Sequence, residues 1–256
     1  MLPKARKRFG QHFLTDRHYL SRIVAAIDPK PGEAIVEIGP GTGALTERLA
    51  ERIAPLYVIE IDRDLAASLR ERFPAERVVV HEGDVLEFDF STLPAPLRVV
   101  GNLPYNISTP ILFQVADHAE RISDCVFMLQ KEVVERMVAA PDSPEYGRLS
   151  VMLQYRFAMA SVFKVPPGAF TPPPKVDSAI VRIKPLGAGR LRAKDEVMFA
   201  RIVAGAFSQR RKTLRNALKA LELGETLARS GIDLGRRGET LSVGEFVALS
   251  DAATAG

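Results

Sequence analysis

Five β-rich runs, at 34–38, 57–60, 78–80, 97–101 and 125–129, fill the first half of the chain, and four of them lead into segments of helical spacing at 44–52, 64–72, 110–116 and 131–139. Strands that alternate with helices are the signature of a parallel sheet with crossover helices, so the pattern predicts an α/β fold. A helix to about residue 26 precedes the first run. Leu20, Ile23, Val24 and Ile27 recur there at i, i+3, i+4 and i+7 behind the cap candidates Thr15 and Asp16. Two later β-like runs, 159–165 and 179–183, are joined by the proline-dense PPGAFTPPPKVDS, and they read as an antiparallel hairpin closing the sheet edge. After Pro185 the β-rich runs stop. A Gly and Arg linker at 186–193 leads to Phe199, Ile202, Val203 and Phe207 at helical spacing, and Ser242 with Glu245 fits a capping box that opens a last helix. The expected organisation is an α/β domain over 1–186 and a small all-helical domain over 187–256.

With 46% apolar side chains in 256 residues the chain has material for a real core, which sets aside disorder and fibrous repeats. The longest compact apolar run, 125–129, is far short of a membrane span, and the opening MLPKARKRFGQHFL lacks the apolar segment of a secretory signal. These features predict a soluble, cytoplasmic protein without a membrane partner. The single cysteine, Cys125, has no intramolecular partner, and its apolar neighbours suggest a buried small hydrophobe. The net charge is only +4, so the placement of basic residues matters more than their number.

The first β-run ends in VEIGPGTG, with Gly39, Gly41 and Gly43 in the turn from strand to helix, where glycine lets backbone approach a ligand. The spacing departs from the dinucleotide fingerprint, and Glu37 before the turn would repel a pyrophosphate. An acid there suits a cationic or zwitterionic ligand such as S-adenosylmethionine. Glu60, at the end of the second run, lies about twenty residues beyond the first glycine, where a carboxylate accepts ribose hydroxyls. Asp84 follows Gly83 after the third run and is placed to accept from an adenine amino group. Ile61 and Val85 adjoin these acids and are counted with the cofactor contacts.

After the fourth run stands GNLPYNIS, at the sheet edge where open α/β folds bind ligands. An exocyclic adenine amine is a poor nucleophile because its lone pair is delocalised into the ring. The Asn102 side-chain oxygen and the Leu103 carbonyl, aimed by the fixed φ of Pro104, suit acceptance of both N6 protons and would favour a pyramidal nitrogen. Tyr105 suits stacking on the base, a contact of about 1 to 3 kcal/mol. The reaction expected is an in-line methyl displacement driven mainly by positioning, with no metal or covalent intermediate. His18, His81 and His118 lack metal-ligand spacing, and no metal site is expected.

With RKRFGQHFL, VEIGPGTGALT, IEID, GDV, GNLPYNIST, LQKEVVERM, FTPPPKVDS and FSQRRKTLRN, the chain resembles the bacterial ribosomal RNA small-subunit adenine N6,N6-dimethyltransferases over nearly its whole length. The resemblance implies a Rossmann-like class I methyltransferase fold, seven-stranded and mostly parallel with an antiparallel edge hairpin, plus a helical C-terminal domain. It implies dimethylation of two adjacent adenosines in a hairpin loop near the 3′ end of small-subunit (16S) rRNA, from S-adenosylmethionine, during late subunit biogenesis. Carried over, the cofactor contacts fall on His12, Leu14, Gly39, Glu60, Asp84 and Asn102, and the target-base pocket on Asn102, Leu103, Tyr105 and Phe170. Many relatives read Asn where this chain has His12, so its contact is either a ring nitrogen or its backbone. The partners implied are the rRNA and the pre-30S particle, met by a monomer.

Two basic clusters suit RNA phosphates. Lys4, Arg6, Lys7 and Arg8 precede GQHFL, and Arg210, Arg211, Lys212, Arg215 and Lys219 lie in the helical region. At ~100° per residue from Leu214, the cations Arg215, Lys219 and Lys212 fall well away from Leu218 and Leu221, so one helix is expected to carry a basic face opposite an apolar stripe. Phe170, presented by the TPPP loop, is expected as the second wall of the base pocket. The competing readings are large-subunit rRNA or DNA adenine methylation and, outside enzymes, an RNA-binding assembly factor for which methylation is incidental.

Overall fold

The computed structural model describes residues 11–254. A two-residue strand, β1 (Phe13–Leu14), leads directly into α1 (Arg17–Ile27). The Asp16 carboxylate starts this helix by accepting the N–H groups of His18 at 2.8 Å and Tyr19 at 3.2 Å. Its expected stripe of Leu20, Ile23, Val24 and Ile27 is buried. There follow β2 (Ala34–Ile38), α2 (Ala44–Ala50), β3 (Leu56–Glu60), α3 (Arg63–Arg72), β4 (Val78–Glu82), β5 (Leu97–Asn102), α4 (Ser108–Asp117) and β6 (Ile122–Gln130). Next come α5 (Lys131–Val138), α6 (Arg148–Gln154), β7 (Phe157–Val165), β8 (Phe170–Thr171) and β9 (Ser178–Pro185). The chain ends with α7 (Glu196–Ser208), α8 (Leu214–Ala217), α9 (Gly224–Ala228) and α10 (Val243–Thr254).

Seven strands form one sheet in the order β4-β3-β2-β5-β6-β9-β7. β2 to β6 pair in parallel, and β9 runs antiparallel to β6, with Phe127 opposite Val181. The two C-terminal β-runs therefore do close the sheet, with β9 inserted beside β6 and β7 left at the edge. The order reverses between β2 and β5, the crevice where such folds bind ligands. The register levels their ends: Ile38 pairs with Ile59 on one side and with Gly101 on the other. Glycine is required at 101, because a Cβ there would lie 2.4 Å from the Ile38 carbonyl oxygen.

β1 pairs antiparallel with β8, Phe13 opposite Thr171 and Leu14 opposite Phe170, in a separate sheet that the sequence reading lacked. Strands of two residues carry no alternation to detect. Near the start of β5, Arg98 is 8% exposed and is satisfied in full: its guanidinium meets Asp124 at 2.8 Å and Glu33 at 2.6 Å and donates to the Ile27 carbonyl at the end of α1. Cys125 is buried, as its neighbours suggested, and burial pushes its thiol pKa well up.

The chain divides into two compact units. The first takes residues up to 134 together with 159–185, and the second takes 135–158 with the chain from 186 onward. A division at residue 186 alone thus leaves out 135–158. The reason is apolar packing: Tyr146, Val151 and Tyr155 share one core with Phe199, Ile202, Val203 and Phe246. Within this unit Tyr155 stacks on Phe199 with ring centroids 4.3 Å apart, and its hydroxyl accepts the Ala193 N–H at 2.9 Å. The capping box before α10 is present, with Glu245 accepting from the Ser242 N–H at 2.8 Å and Ser242 Oγ accepting from the Glu245 N–H at 3.3 Å.

Candidate active site

A cavity of about 270 Å³ opens where β2, β3 and β5 end, inside the first unit. Its wall includes residues 37–42 at the end of β2 and in the glycine turn, Glu60 and Ile61 at the end of β3, Gly83 to Val85 after β4, residues 101–107 at the end of β5 and beyond it, and residues 11–14. Backbone conformation explains the turn: Gly39, Gly41 and Gly43 have φ of +66°, +58° and +79°, and a Cβ on Gly41 would crowd the Phe13 ring at 3.2 Å.

Glu60 is 4% exposed and anchored by backbone, its carboxylate accepting the Gly41 N–H at 3.0 Å and the Asp62 N–H at 2.9 Å. Burial raises its pKa, against the backbone hydrogen bonds from Asp62, Gly41 and Ile61. Glu37 is 2% exposed and accepts the Thr46 hydroxyl at 2.7 Å. Burial pushes its carboxyl up to about 7, with the Thr46 bond opposing and nearby Glu60 adding to the rise. Asp84 is half-buried, with Oδ1 accepting the Leu86 N–H at 2.9 Å. Ile61 and Val85 both line the cavity. The wall thus carries three carboxylates, of Glu37, Glu60 and Asp84, and no Lys or Arg among the described residues. That donor set fits an adenosyl group with a sulfonium and an ammonium and does not fit a pyrophosphate.

On the other side stands the 101–107 loop. The Asn102 Nδ2 donates to the His12 carbonyl at 3.0 Å, which leaves the amide oxygen for another donor. Leu103 is fixed by its N–H, which donates to the Met128 carbonyl at 3.1 Å. Tyr105 is held at its hydroxyl by Ser178 at 2.5 Å and lies against the His12 ring, centroids 5.6 Å apart. Burial raises the Tyr105 pKa, and the Ser178 bond offsets part of the rise. His12, Leu14, Asn102, Leu103, Pro104 and Tyr105 all reach the cavity. Phe170 does not. It is 3% exposed in a core cluster with Leu14, Leu20 and Ile180, because its pairing with Leu14 turns it inward.

The basic residues are placed less regularly than expected. Lys4, Arg6, Lys7 and Arg8 lie outside the described residues. The single helix expected over 212–221 is broken. α8 spans four residues, and Lys219–Leu221 form a separate 3-10 turn ending at Glu222, whose φ is +57°. The Leu214 and Arg215 N–H groups donate to the Arg236 and Leu234 carbonyls instead, which ties the start of α8 to the 234–236 segment. Arg211, Lys212, Arg215 and Lys219 are nevertheless exposed, while Arg210 pairs with Glu239 at 2.8 Å. No group of three potential metal ligands occurs among the described residues. No helix there is long and apolar enough to cross a membrane.

Two partners of the site carry no signal of their role in the sequence. Thr46 and Ser178 both stand inside quoted motifs, VEIGPGTGALT and FTPPPKVDS, yet only folding shows that one hydroxyl meets Glu37 and the other Tyr105.

The chain is 60% identical over 248 residues to the ribosomal RNA small subunit methyltransferase A of Aromatoleum aromaticum, covering 97% of this chain and 94% of that one. Its structure resembles a dimethyladenosine transferase from Plasmodium falciparum with a TM-score of 0.79 at 26% identity, over 93% of this chain and 96% of that one. It also resembles the 23S rRNA methyltransferase ErmE with a TM-score of 0.72 at 27% identity, over 94% and 99% of the two chains. The family described as ribosomal RNA adenine dimethylase matches residues 2–254, and the chain belongs to this family of S-adenosylmethionine-dependent methyltransferases.

Proposed function

We propose that this protein dimethylates N6 of two adjacent adenosines in a hairpin loop near the 3′ end of 16S rRNA, acting as a cytoplasmic monomer on the pre-30S particle late in its assembly. The observation that carries the reading is the apposition, in one cavity, of a wall that among the described residues carries three carboxylates and no Lys or Arg, and the Asn102-Leu103-Pro104-Tyr105 loop. Bound S-adenosylmethionine supplies an electrophilic methyl group. Glu37 suits its ammonium, Glu60 its ribose hydroxyls and Asp84 its adenine amine, flanked by Ile61 and Val85.

The acceptor base leaves its stack to reach Tyr105, at a cost of a few kcal/mol that a loop nucleotide largely avoids. Asn102 Oδ1 is the acceptor for one N6 proton, its orientation set because Nδ2 is committed to the His12 carbonyl. The Leu103 carbonyl takes the second. Held this way, the N6 lone pair faces the methyl carbon, and the N–C bond forms as the C–S bond breaks. The attacking nitrogen gives up its proton to water, so no strong base is needed. A second round follows at the same nitrogen. Exposed Arg211, Lys212, Arg215 and Lys219 hold phosphates in the second unit.

The 60% identity to a small-subunit methyltransferase, against 27% to the 23S enzyme, favours the small-subunit substrate. Incubation with labelled S-adenosylmethionine and small subunits from cells lacking the modification, followed by mass spectrometry of the rRNA, tests the proposal. Two adjacent dimethyladenosines near the 3′ end are expected. Cofactor binding without transfer to any subunit preparation overturns the substrate assignment.

A further inference from the structure

The two faces of α1 differ in what they meet. Leu20, Ile23, Val24 and Ile27 are buried, and Leu20 and Ile23 line the cavity. At ~100° per residue, Arg17, His18, Ser21, Arg22 and Ala25 fall within one arc of ~140°, and all five are exposed. None of these five lines the cavity. Their face lies about one helix diameter, ~10 Å, from the cavity wall.

The charge on this face is of one sign. α1 contains no Asp or Glu, and the Asp16 carboxylate before it is committed to the His18 and Tyr19 N–H groups. Arg48 of α2 donates to Ser21 Oγ at 3.3 Å, which brings a third guanidinium to the same surface. Its neighbour Glu47 is taken by Arg72 at 2.6 Å. Among the described residues Arg17, Arg22 and Arg48 make no ion pair. Arg22 is nevertheless held in place. Its guanidinium lies over the Phe163 ring of β7, 3.9 Å from the centroid, and 5.7 Å from that of Tyr19. An aromatic ring fixes the guanidinium without neutralising it, and the side chain stays exposed.

We propose that Arg17, Arg22 and Arg48, grouped around Ser21, form a second contact surface for rRNA phosphates, in the first compact unit. This rests on the reading of rRNA as the substrate. A polyanion is the partner that the charge selects, because each unpaired cation that meets a phosphate releases a counterion, and a pre-placed guanidinium matches phosphate oxygens in pairs. Arg211, Lys212, Arg215 and Lys219 belong to the other compact unit, so the α1 face is a separate set of contacts.

The test combines Arg17→Gln, Arg22→Gln and Arg48→Gln in the full chain and sets it beside the pair Arg211→Ala and Arg215→Ala. Binding to small subunits that lack the modification is measured over a series of salt concentrations. Loss of three phosphate contacts is expected to reduce the slope of log K against log salt by about 2 to 3 and to raise KM for subunits about tenfold. The values of kcat and of S-adenosylhomocysteine affinity should not change. An unchanged slope and KM overturn the inference and leave α1 with a solvated face. If, in addition, no subunit preparation is methylated by the native protein, the substrate reading falls with it. A second measurement does not depend on the triple variant. The only cysteine, Cys125, is buried, so Ala25→Cys places one reactive thiol near the middle of the face. A short photocrosslinker on that thiol is expected to capture rRNA in the bound subunit. Capture of ribosomal protein alone, or of nothing, overturns the proposal.

Discussion

The hydroxyls of Tyr105 and Ser178 meet at 2.5 Å, joining the loop after β5 to the first residue of β9 across 73 positions of sequence. Ser178 is fully buried, so removal of its hydroxyl leaves the phenol without that partner and frees the ring to turn. Ser178→Ala is expected to lower kcat/KM for methyl transfer about threefold to tenfold, on the order of 1 kcal/mol for one hydrogen bond. Tyr105→Phe breaks the same bond from the other side. In a double-mutant cycle the two losses should not add, and full additivity would show that the bond has no role in placing the ring.

Asn102 has one donor committed to the His12 carbonyl and its oxygen left over. Asn102→Asp replaces the donor with a carboxylate oxygen facing a carbonyl oxygen, which turns the group away. Single-turnover transfer is expected to fall about a hundredfold, comparable to the loss of one preorganised polar contact at a reacting centre. The melting temperature should change by only a few degrees. A variant that keeps more than a tenth of the native rate would remove Asn102 from the acceptor site.

Glu37 makes the site pH-dependent. Its folded pKa, about 7, lies above the ordinary carboxylate range of an unfolded chain. The folded protein therefore holds a proton that the unfolded chain has released. The stability from this group is complete below the ordinary range and is lost as pH rises through about 7. Urea denaturation from about pH 5 to about pH 8 should show a decline that Glu37→Gln flattens. Ligand binding has the opposite sign, because an ammonium favours the ionised carboxylate. The affinity for S-adenosylhomocysteine is expected to rise through neutral pH in the native protein, with proton release detected by calorimetry in buffers of different ionisation enthalpy. A native protein whose affinity is flat across that range would place the ammonium elsewhere.

The second unit's cations should differ in their effect on RNA binding. Arg211 and Arg215 are exposed, whereas Arg210 is already paired with Glu239 at 2.8 Å and donates to the Pro144 carbonyl. Arg211→Ala and Arg215→Ala are each expected to weaken binding to rRNA and to reduce the slope of log K against log salt by about 1. Arg210→Ala should move the slope less. Equal slopes for all three variants and the native protein would exclude this surface from phosphate contact.

Much of the architecture was legible before folding because it rests on local spacing. The α1 stripe repeats with the helical period, the strands are short apolar runs covered on both faces, and Ser242 and Glu245 cap each other within one turn. The glycine turn and the acids at the ends of β2 and β3 and just after β4 were legible for a related reason. In a parallel sheet the strand ends gather at one edge, so an acid at each end belongs to one site whatever the details of packing.

What spacing left open is which way a side chain turns once distant segments meet. The amide of Asn102 is oriented by a carbonyl 90 positions away, and Phe170 is drawn into the core by a two-residue strand pairing that has no period of its own. Residues 135–158 join the helical unit through the burial of Tyr146, Val151 and Tyr155, and the helix expected over 212–221 starts only at Leu214, where the Leu214 and Arg215 N–H groups find partners at 234–236, and stops at Ala217. The sequence by itself determined the order of elements in the main sheet, the class of sheet and the acids that line the cavity, since these depend on residue type and on contacts a few positions apart. Only the tertiary structure decided that the His12 ring and not Phe170 accompanies Tyr105, because that depends on long-range hydrogen bonds and packing that no local pattern encodes.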